Sequence, residues 1–229
     1  MPVSFSQFVR ALMVAFVVSA LLISSALARP ACKSSRKAPQ ITVQIKPGTV
    51  KVDNSRSRQH LERLKSRGST LTPANGWRPV GLTSTELGFS MRLRVNAKPN
   101  RKGSYCGYLD SVRASLGYDQ LVVYIASKYR PGSCHYRSIM EHEKLHVLVF
   151  RRTLQRFSPR LNRRLKTAAA NQRAVVAPNA DLAAAEFKKR LRREVQPLFK
   201  EMNRELNRAN AKLDTPANYK REQARCNNW

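Results

Sequence analysis

The sequence predicts an α+β fold: a small N-terminal antiparallel sheet followed by a helical C-terminal half. Period-two alternation of apolar residues is confined to the stretch before residue 127. Segments with apolar steps of three and four, opened by capping residues, dominate after residue 133. Strands come first and helices second, rather than alternating as a parallel α/β fold would require.

The chain opens with an apolar segment whose only charge before Arg29 is Arg10, and it reaches Ala26-Leu27-Ala28, the small-x-small pattern that signal peptidases cut. The apolar run is short for a membrane span. Residues 1–28 therefore read as a signal peptide, and Cys32 follows Arg-Pro-Ala rather than a lipobox. The expected location is exported, periplasmic or secreted. Residues 29–229 suffice for one domain with a real core, strand-rich over 41–127 and helical over 134–213.

Within it, RPACKSSRKAPQ is an irregular basic leader. ITVQIKPGTVKV (41–52) alternates on both sides of Pro47-Gly48, which predicts a hairpin. Residues 54–69 carry a short helical pattern. In 77–99 another strand places Phe89, Met91, Leu93 and Val95 on one face. Residues 105–127 supply two more strands, of which LVVYIA reads as buried. Tyr129-Arg130-Pro131-Gly132 is a turn. Ser133 caps a helix from about Cys134 to Phe157. Ser158-Pro159, a cap and a first-turn proline, starts a second helix that fades near Val176. After Pro178-Asn179 comes a long basic helix with the stripe Phe187, Leu191, Val195, Leu198, Met202, Leu206, Ala209 and Leu213. Pro197 inside that stripe kinks the helix or divides it. The tail from Asp214 is polar.

Cys32, Cys106, Cys134 and Cys226 all fall after the signal segment, and an even count in an exported chain points to disulfides. The pairing expected here is Cys106–Cys134, tying the strand region to the next helix, with Cys32–Cys226 pinning both tails. The spacings lack the CxxC knuckle of a four-cysteine zinc site. The net charge is +29, with 43 Lys and Arg against 14 acids. Such a surface favours non-specific contact with polyanions or anionic membrane surfaces. No aromatic-interleaved motif accompanies the charge, so sequence-specific nucleic-acid binding is not expected.

The chemically specific stretch is HEKLH, His142 to His146. Each helical residue advances about 100°, so His142 and His146 lie one turn apart on one face and can grip one ion, with Glu143 alongside. That face also carries Ile139, Val149, Phe150 and Phe157. It is therefore the apolar face, where a carboxylate costs several kcal/mol unless paired or neutralised. The competing reading is a pair of core histidines bonded to the backbone, with Glu143 partly exposed. Lys144, where zinc peptidases usually have an apolar residue, points away from the ion. His135 lies about 10 Å along the axis from His142, too far to share an ion, and His60 sits in the weak polar segment.

A catalytic zinc takes three protein ligands and keeps one position for water. No histidine follows His146, so the third ligand is a carboxylate. The acids that follow are Asp181, Glu186, Glu194, Glu201, Glu205, Asp214 and Glu222. Glu205 lies within the apolar stripe and Glu194 and Glu201 on its edge, so helical geometry favours Glu205. The alternative is that these are rim carboxylates paired with arginines, such as Glu205 with Arg208 and Glu194 with Arg190.

Cys134, His142-Glu143-x-x-His146 and Asn210-Ala211-Lys212-Leu213-Asp214, in an exported chain with strands before helices, resemble an uncharacterised bacterial family described as predicted secreted zinc-dependent proteases. The resemblance covers most of residues 29–229 loosely. It implies a zincin-like domain, a Zn2+ cofactor, a peptide or protein substrate, and Asp214 rather than Glu205 as third ligand. The family pattern continues with a Thr-x-His-Gly-like segment. Here the chain reads Asp214-Thr215-Pro216-Ala217-Asn218-Tyr219, with Tyr219 near the place of the histidine. Asp214 is taken as the third ligand, reachable if Pro197 breaks the helix and the chain doubles back; a continuous helix favours Glu205.

The expected activity is hydrolysis of peptide bonds by a metal-activated water. Glu143 is the general base, and Tyr219 is assigned to the oxyanion by position. The rival is a non-catalytic cationic envelope protein that binds anionic polymers or lipid surfaces.

Overall fold

The computed structural model describes residues 32–33, 37–68, 78–100 and 103–229, and Cys32–Trp229 form one compact unit. The signal-peptide reading of 1–28 lies outside the described residues. The elements run β1 (Gln40–Asp53), α1 (Arg58–Gly68), β2 (Gly81–Pro99), β3 (Tyr105–Ile125), α2 (Cys134–Ala170), β4 (Val175–Ala177), α3 (Ala180–Leu213) and α4 (Pro216–Gln223). This is the α+β order expected. Among the described residues no helix is long and apolar enough to cross a membrane.

The sheet is mixed rather than wholly antiparallel. β3 is its centre, with β2 antiparallel on one edge and β1 parallel on the other. β4 pairs with Tyr105–Gly107 at the start of β3. The expected hairpin at Pro47-Gly48 does not form. β1 stays paired with β3 on both sides of it, from Gln40↔Ser111 to Asp53↔Tyr124. β1 is an edge strand, where a proline costs no ladder bond. Gly48 absorbs the local kink at φ 76°, and its carbonyl accepts from Arg151 Nη2 at 2.8 Å. The two strands expected in 105–127 are one, β3, because a single long strand serves as centre for both neighbours.

α2 and α3 pack on one face of this sheet. Leu109, Val112, Leu116, Leu121, Val123 and Ile125 of β3 meet Leu154, Phe157 and Leu161 of α2 and Phe187, Leu191 and Met202 of α3 in one core. Met91 of the predicted β2 face is buried, and Phe89 lies 4.7 Å from the Phe199 ring of α3. The other face of the sheet is polar, as a one-sided sheet permits; Arg92, Arg94 and Arg113 are exposed there.

Neither Pro159, expected to open a second helix, nor Pro197, expected to kink or divide one, ends a helix. α2 runs through Pro159 and α3 through Pro197. At Pro159 the missing N–H would have served the Gln155 carbonyl, and Ser158 Oγ donates to that carbonyl instead, at 3.1 Å. Pro197 lies on the exposed side of α3, where water can serve the freed carbonyl. The polar tail also contains structure. Thr215 Oγ1 accepts from Asn218 N at 3.2 Å and Pro216 occupies the first turn, so α4 starts there.

The disulfides are Cys32–Cys106 and Cys134–Cys226, which corrects the expected pairing. Cys106 lies at the start of β3, at the end of the sheet where β4 pairs, and the N-terminal leader is tied there. The C-terminal tail returns along α2, so Cys226 meets Cys134 rather than the other tail.

Candidate metal centre

The first third of α2 carries the motif. Ser133 caps the helix by accepting from Tyr136 N at 3.1 Å. Ser138, Ile139, His142, Glu143, His146 and Val147 are buried, and Lys144 is exposed. The apolar face therefore includes both histidines and the glutamate. They face three partners: the N-terminal part of β2, the C-terminal end of α3, and α4.

α3 runs antiparallel to α2, so its last turn and its C-cap Asp214 lie beside the motif. This corrects the expectation that Asp214 could reach the histidines only if Pro197 broke the helix. The helix is continuous, and the motif sits at its C-terminal end. Glu205, the acid favoured by the stripe, is drawn outward by Arg156 of α2. Arg160–Glu201 and Arg164–Glu194 follow at 2.6 and 2.9 Å. The rim reading of these acids is therefore the right one, although their arginines come from the facing helix. Glu205 and Glu194 meet Arg156 and Arg164 rather than Arg208 and Arg190, the partners that alternative named, and Arg190 bonds Glu186 at 2.8 Å.

At the motif three ligand atoms converge. His142 Nε2 lies 3.2 Å from Asp214 Oδ1, His146 Nε2 lies 3.2 Å from the same oxygen, and the two Nε2 atoms are 3.1 Å apart. The outer ring nitrogens have their own acceptors. His142 Nδ1 donates to Glu222 Oε1 at 2.8 Å, and His146 Nδ1 donates to Asn210 Oδ1 at 3.0 Å. With the protons on Nδ1, three lone pairs point into one space. Two ligand atoms of a tetrahedral zinc with bonds near 2.0 Å are roughly 3.3 Å apart. The three edges therefore match one face of such a shell. His142, His146 and Asp214 could hold a metal ion.

The electrostatics agree. Asp214 is the C-cap of α3, at the negative end of that helix dipole, where an acid is disfavoured unless a cation faces it. Burial disfavours its charge, but hydrogen bonds from His142, His146 and Tyr219 outweigh burial and hold its carboxyl far below the ordinary range. Burial also opposes charge on His142, yet bonds to Asp214 and Glu222 and the charge of Glu143 lift its pKa to about 9. His146 shifts upward for the same kind of reason, burial being outweighed by Asp214 and Glu143. The site attracts positive charge.

Glu143 stands outside the three-atom cluster. Its Oε2 accepts from Thr83 Oγ1 of β2 at 2.7 Å, and Gly81 leaves it room: a Cβ there would lie 2.5 Å from Oε1. Burial pushes its pKa up, against the pull of both histidines and Thr83. Tyr219, reached through α4, donates its hydroxyl to Asp214 Oδ1 at 2.6 Å. Its own pKa is driven up by burial and by the Asp214 charge.

The structure thus brings together His142, His146, Asp214, Glu143 and Tyr219 and leaves Glu205 outside. Sequence reasoning gave no role to Glu222, Asn210 or Thr83. Glu222 and Asn210 were visible only as an acid and a family-like position, and nothing in the sequence marks Thr83. His135 and His60 take no part in the cluster. His135 Nε2 lies 3.0 Å from the Asn227 carbonyl and its ring lies edge-on to Trp229 at 4.8 Å. A cavity of about 230 Å³ between Lys37, Tyr108, Ala170 and Arg173, at the far end of α2, shares no residue with the centre. Comparison of the chain with protein-family models, curated proteins and solved structures gives no match.

Proposed function

We propose that the protein is an exported zinc-dependent peptidase. The observation that carries this is the convergence of His142 Nε2, His146 Nε2 and Asp214 Oδ1 at 3.1–3.2 Å, with both outer ring nitrogens already engaged. A two-nitrogen, one-oxygen donor set suits zinc, which accepts imidazole and carboxylate together and leaves a fourth position for water. Zinc held by these residues would lower the pKa of a bound water toward neutrality and polarise a carbonyl.

Glu143 has the features of a general base. It follows His142 directly, its pKa is raised by burial, and Thr83 fixes one of its oxygens. It takes the proton of the attacking water and returns it to the leaving amine. Tyr219 keeps its proton and holds it beside Asp214 Oδ1, a position from which it can donate to a developing oxyanion. Two disulfides are consistent with an exported protein.

The test is metal analysis and peptide hydrolysis on the purified chain beginning at Arg29. About one zinc per chain is expected. Glu143→Gln should keep the zinc and lose roughly 10²–10⁴-fold in kcat/KM. Less than about a tenth of an equivalent of zinc, with no uptake on titration, would sink the metal reading.

One observation favours a second reading, a cationic envelope protein without turnover. Arg92 and Arg113 stand directly opposite each other on the helix-free face, although like charges across strands repel. That reading prevails if neither the parent nor Glu143→Gln hydrolyses peptides while both bind polyanions in a salt-sensitive way.

A further inference from the structure

The C-terminal tail packs lightly, with the Tyr219 ring 5.3 Å from that of His142 and the Trp229 ring 4.8 Å from that of His135. No residue of α4 is buried, and beyond it Cys226 alone is. Yet the tail is fastened along the first turns of α2. Cys226 is bonded to Cys134, Arg225 reaches Glu141 at 2.7 Å, and Ser138 Oγ donates to the Glu222 carbonyl at 3.3 Å.

Glu222 stands apart from the other glutamates that follow the motif. Glu186, Glu194, Glu201 and Glu205 each pair with an arginine. Glu222, in a chain with 43 Lys and Arg, pairs instead with His142 Nδ1 at 2.8 Å. A carboxylate there does two things: it fixes the proton on Nδ1, so Nε2 presents its lone pair inward, and it makes that lone pair more basic. His146 has only the neutral amide of Asn210 in the same place.

We infer that Glu222 is a positioning residue for His142, and that the Cys134–Cys226 disulfide holds it there, making the tail a working part of the metal centre. The inference rests on the metal reading above. The disulfide then acts locally. Without it, α4 is held to α2 by the Ser138 and His142 bonds to Glu222 and by the Tyr219 ring, 5.3 Å from that of His142, and the tail that carries Glu222 loses its covalent anchor.

The experiment measures zinc affinity by chelator competition and the visible spectrum of the Co2+-substituted chain. The proteins are the parent, Glu222→Ala, Glu222→Gln and the double variant Cys134→Ser/Cys226→Ser, with far-UV circular dichroism as the control for folding. Glu222→Ala should weaken zinc about 10–100-fold and alter the cobalt spectrum. Gln, whose amide oxygen still accepts from Nδ1, should recover part of the loss. The disulfide variant should weaken zinc comparably, and adding Glu222→Ala to it should cost little more, because both act through one contact. If Glu222→Ala binds zinc within about twofold of the parent and its cobalt spectrum is unchanged, the positioning role is overturned while the metal centre stands. A parent that takes up neither metal overturns both.

Discussion

The seam between α2 and α3 carries carboxylates along its whole length, and its two parts treat them differently. Toward the C-terminus of α2, Glu205, Glu201 and Glu194 of α3 meet Arg156, Arg160 and Arg164 at the exposed rim, with Glu201 and Glu194 side chains 44% and 46% exposed. At the motif, Asp214 meets two histidines that are 6% and 8% exposed. Surface ion pairs of the first kind contribute little, because water screens them and long side chains must be ordered. A carboxylate and two imidazoles brought together at a helix C-terminus are held against desolvation and dipole alike. An acid's place on an apolar stripe is thus a poor guide to whether it meets the histidines. Glu205 lies on the stripe but has a facing arginine within reach; Asp214 lies past the stripe's end and faces the histidines.

The largest effect should come from removing the acid at the motif. Asp214→Ala should reduce zinc affinity, read by isothermal titration, by more than the 10–100-fold that outer partners are worth. Retention of parental affinity would show that the two histidines bind without it.

A second effect comes from protons. The His142 pKa rises on folding from 6.5 to about 9. The metal-free fold therefore holds that proton more tightly than the unfolded chain. The stability so gained is complete below pH 6.5 and is lost as pH climbs through 9. The thermal midpoint of the zinc-free protein should fall across that window, while zinc affinity, competing with the same proton, should rise. Asp214→Ala should flatten the first of these profiles. A flat profile in the parent would mean the metal-free histidines are uncharged.

The smallest effect belongs to the rim. Glu205→Gln should leave zinc affinity at the parental value and change stability by about 1 kcal/mol or less in denaturant unfolding. A loss of metal in this variant would return Glu205 to the candidate ligands.

The rim and the candidate metal centre were not equally legible in the sequence. HEKLH declares its own geometry, because helical spacing alone sets His142 above His146 and Glu143 beside them. The α3 stripe was legible for the same reason, and its buried residues include Phe187, Leu191, Val195, Met202 and Leu206. The rim pairs were not, because their arginines come from the facing helix rather than from neighbours on α3. Pro159 and Pro197 misled, because the rules for helix breaking concern hydrogen bonds, and a neighbouring serine or solvent can supply what the proline removes. Pro47-Gly48 misled likewise: its turn chemistry is local, whereas parallel pairing with β3 is a long-range matter.

The α+β class, the two histidines and glutamate on one buried helix face, and cysteines suited to two bridges all follow from the amino-acid order alone. Those properties depend on local spacing and composition. Which acid joins the two histidines, which cysteines pair, and that Glu222, Asn210 and Thr83 bond His142, His146 and Glu143 emerge only from the folded chain. The places of Asp214, Asn210, Glu222 and Cys226 depend on the antiparallel register of α3 and the tail against α2, that of Thr83 on how α2 lies across β2, and the Cys32–Cys106 bridge on the start of β3. That register is set by how Leu154, Phe157, Phe187 and Leu191 share one core with the sheet, not by any residue's own neighbours in sequence.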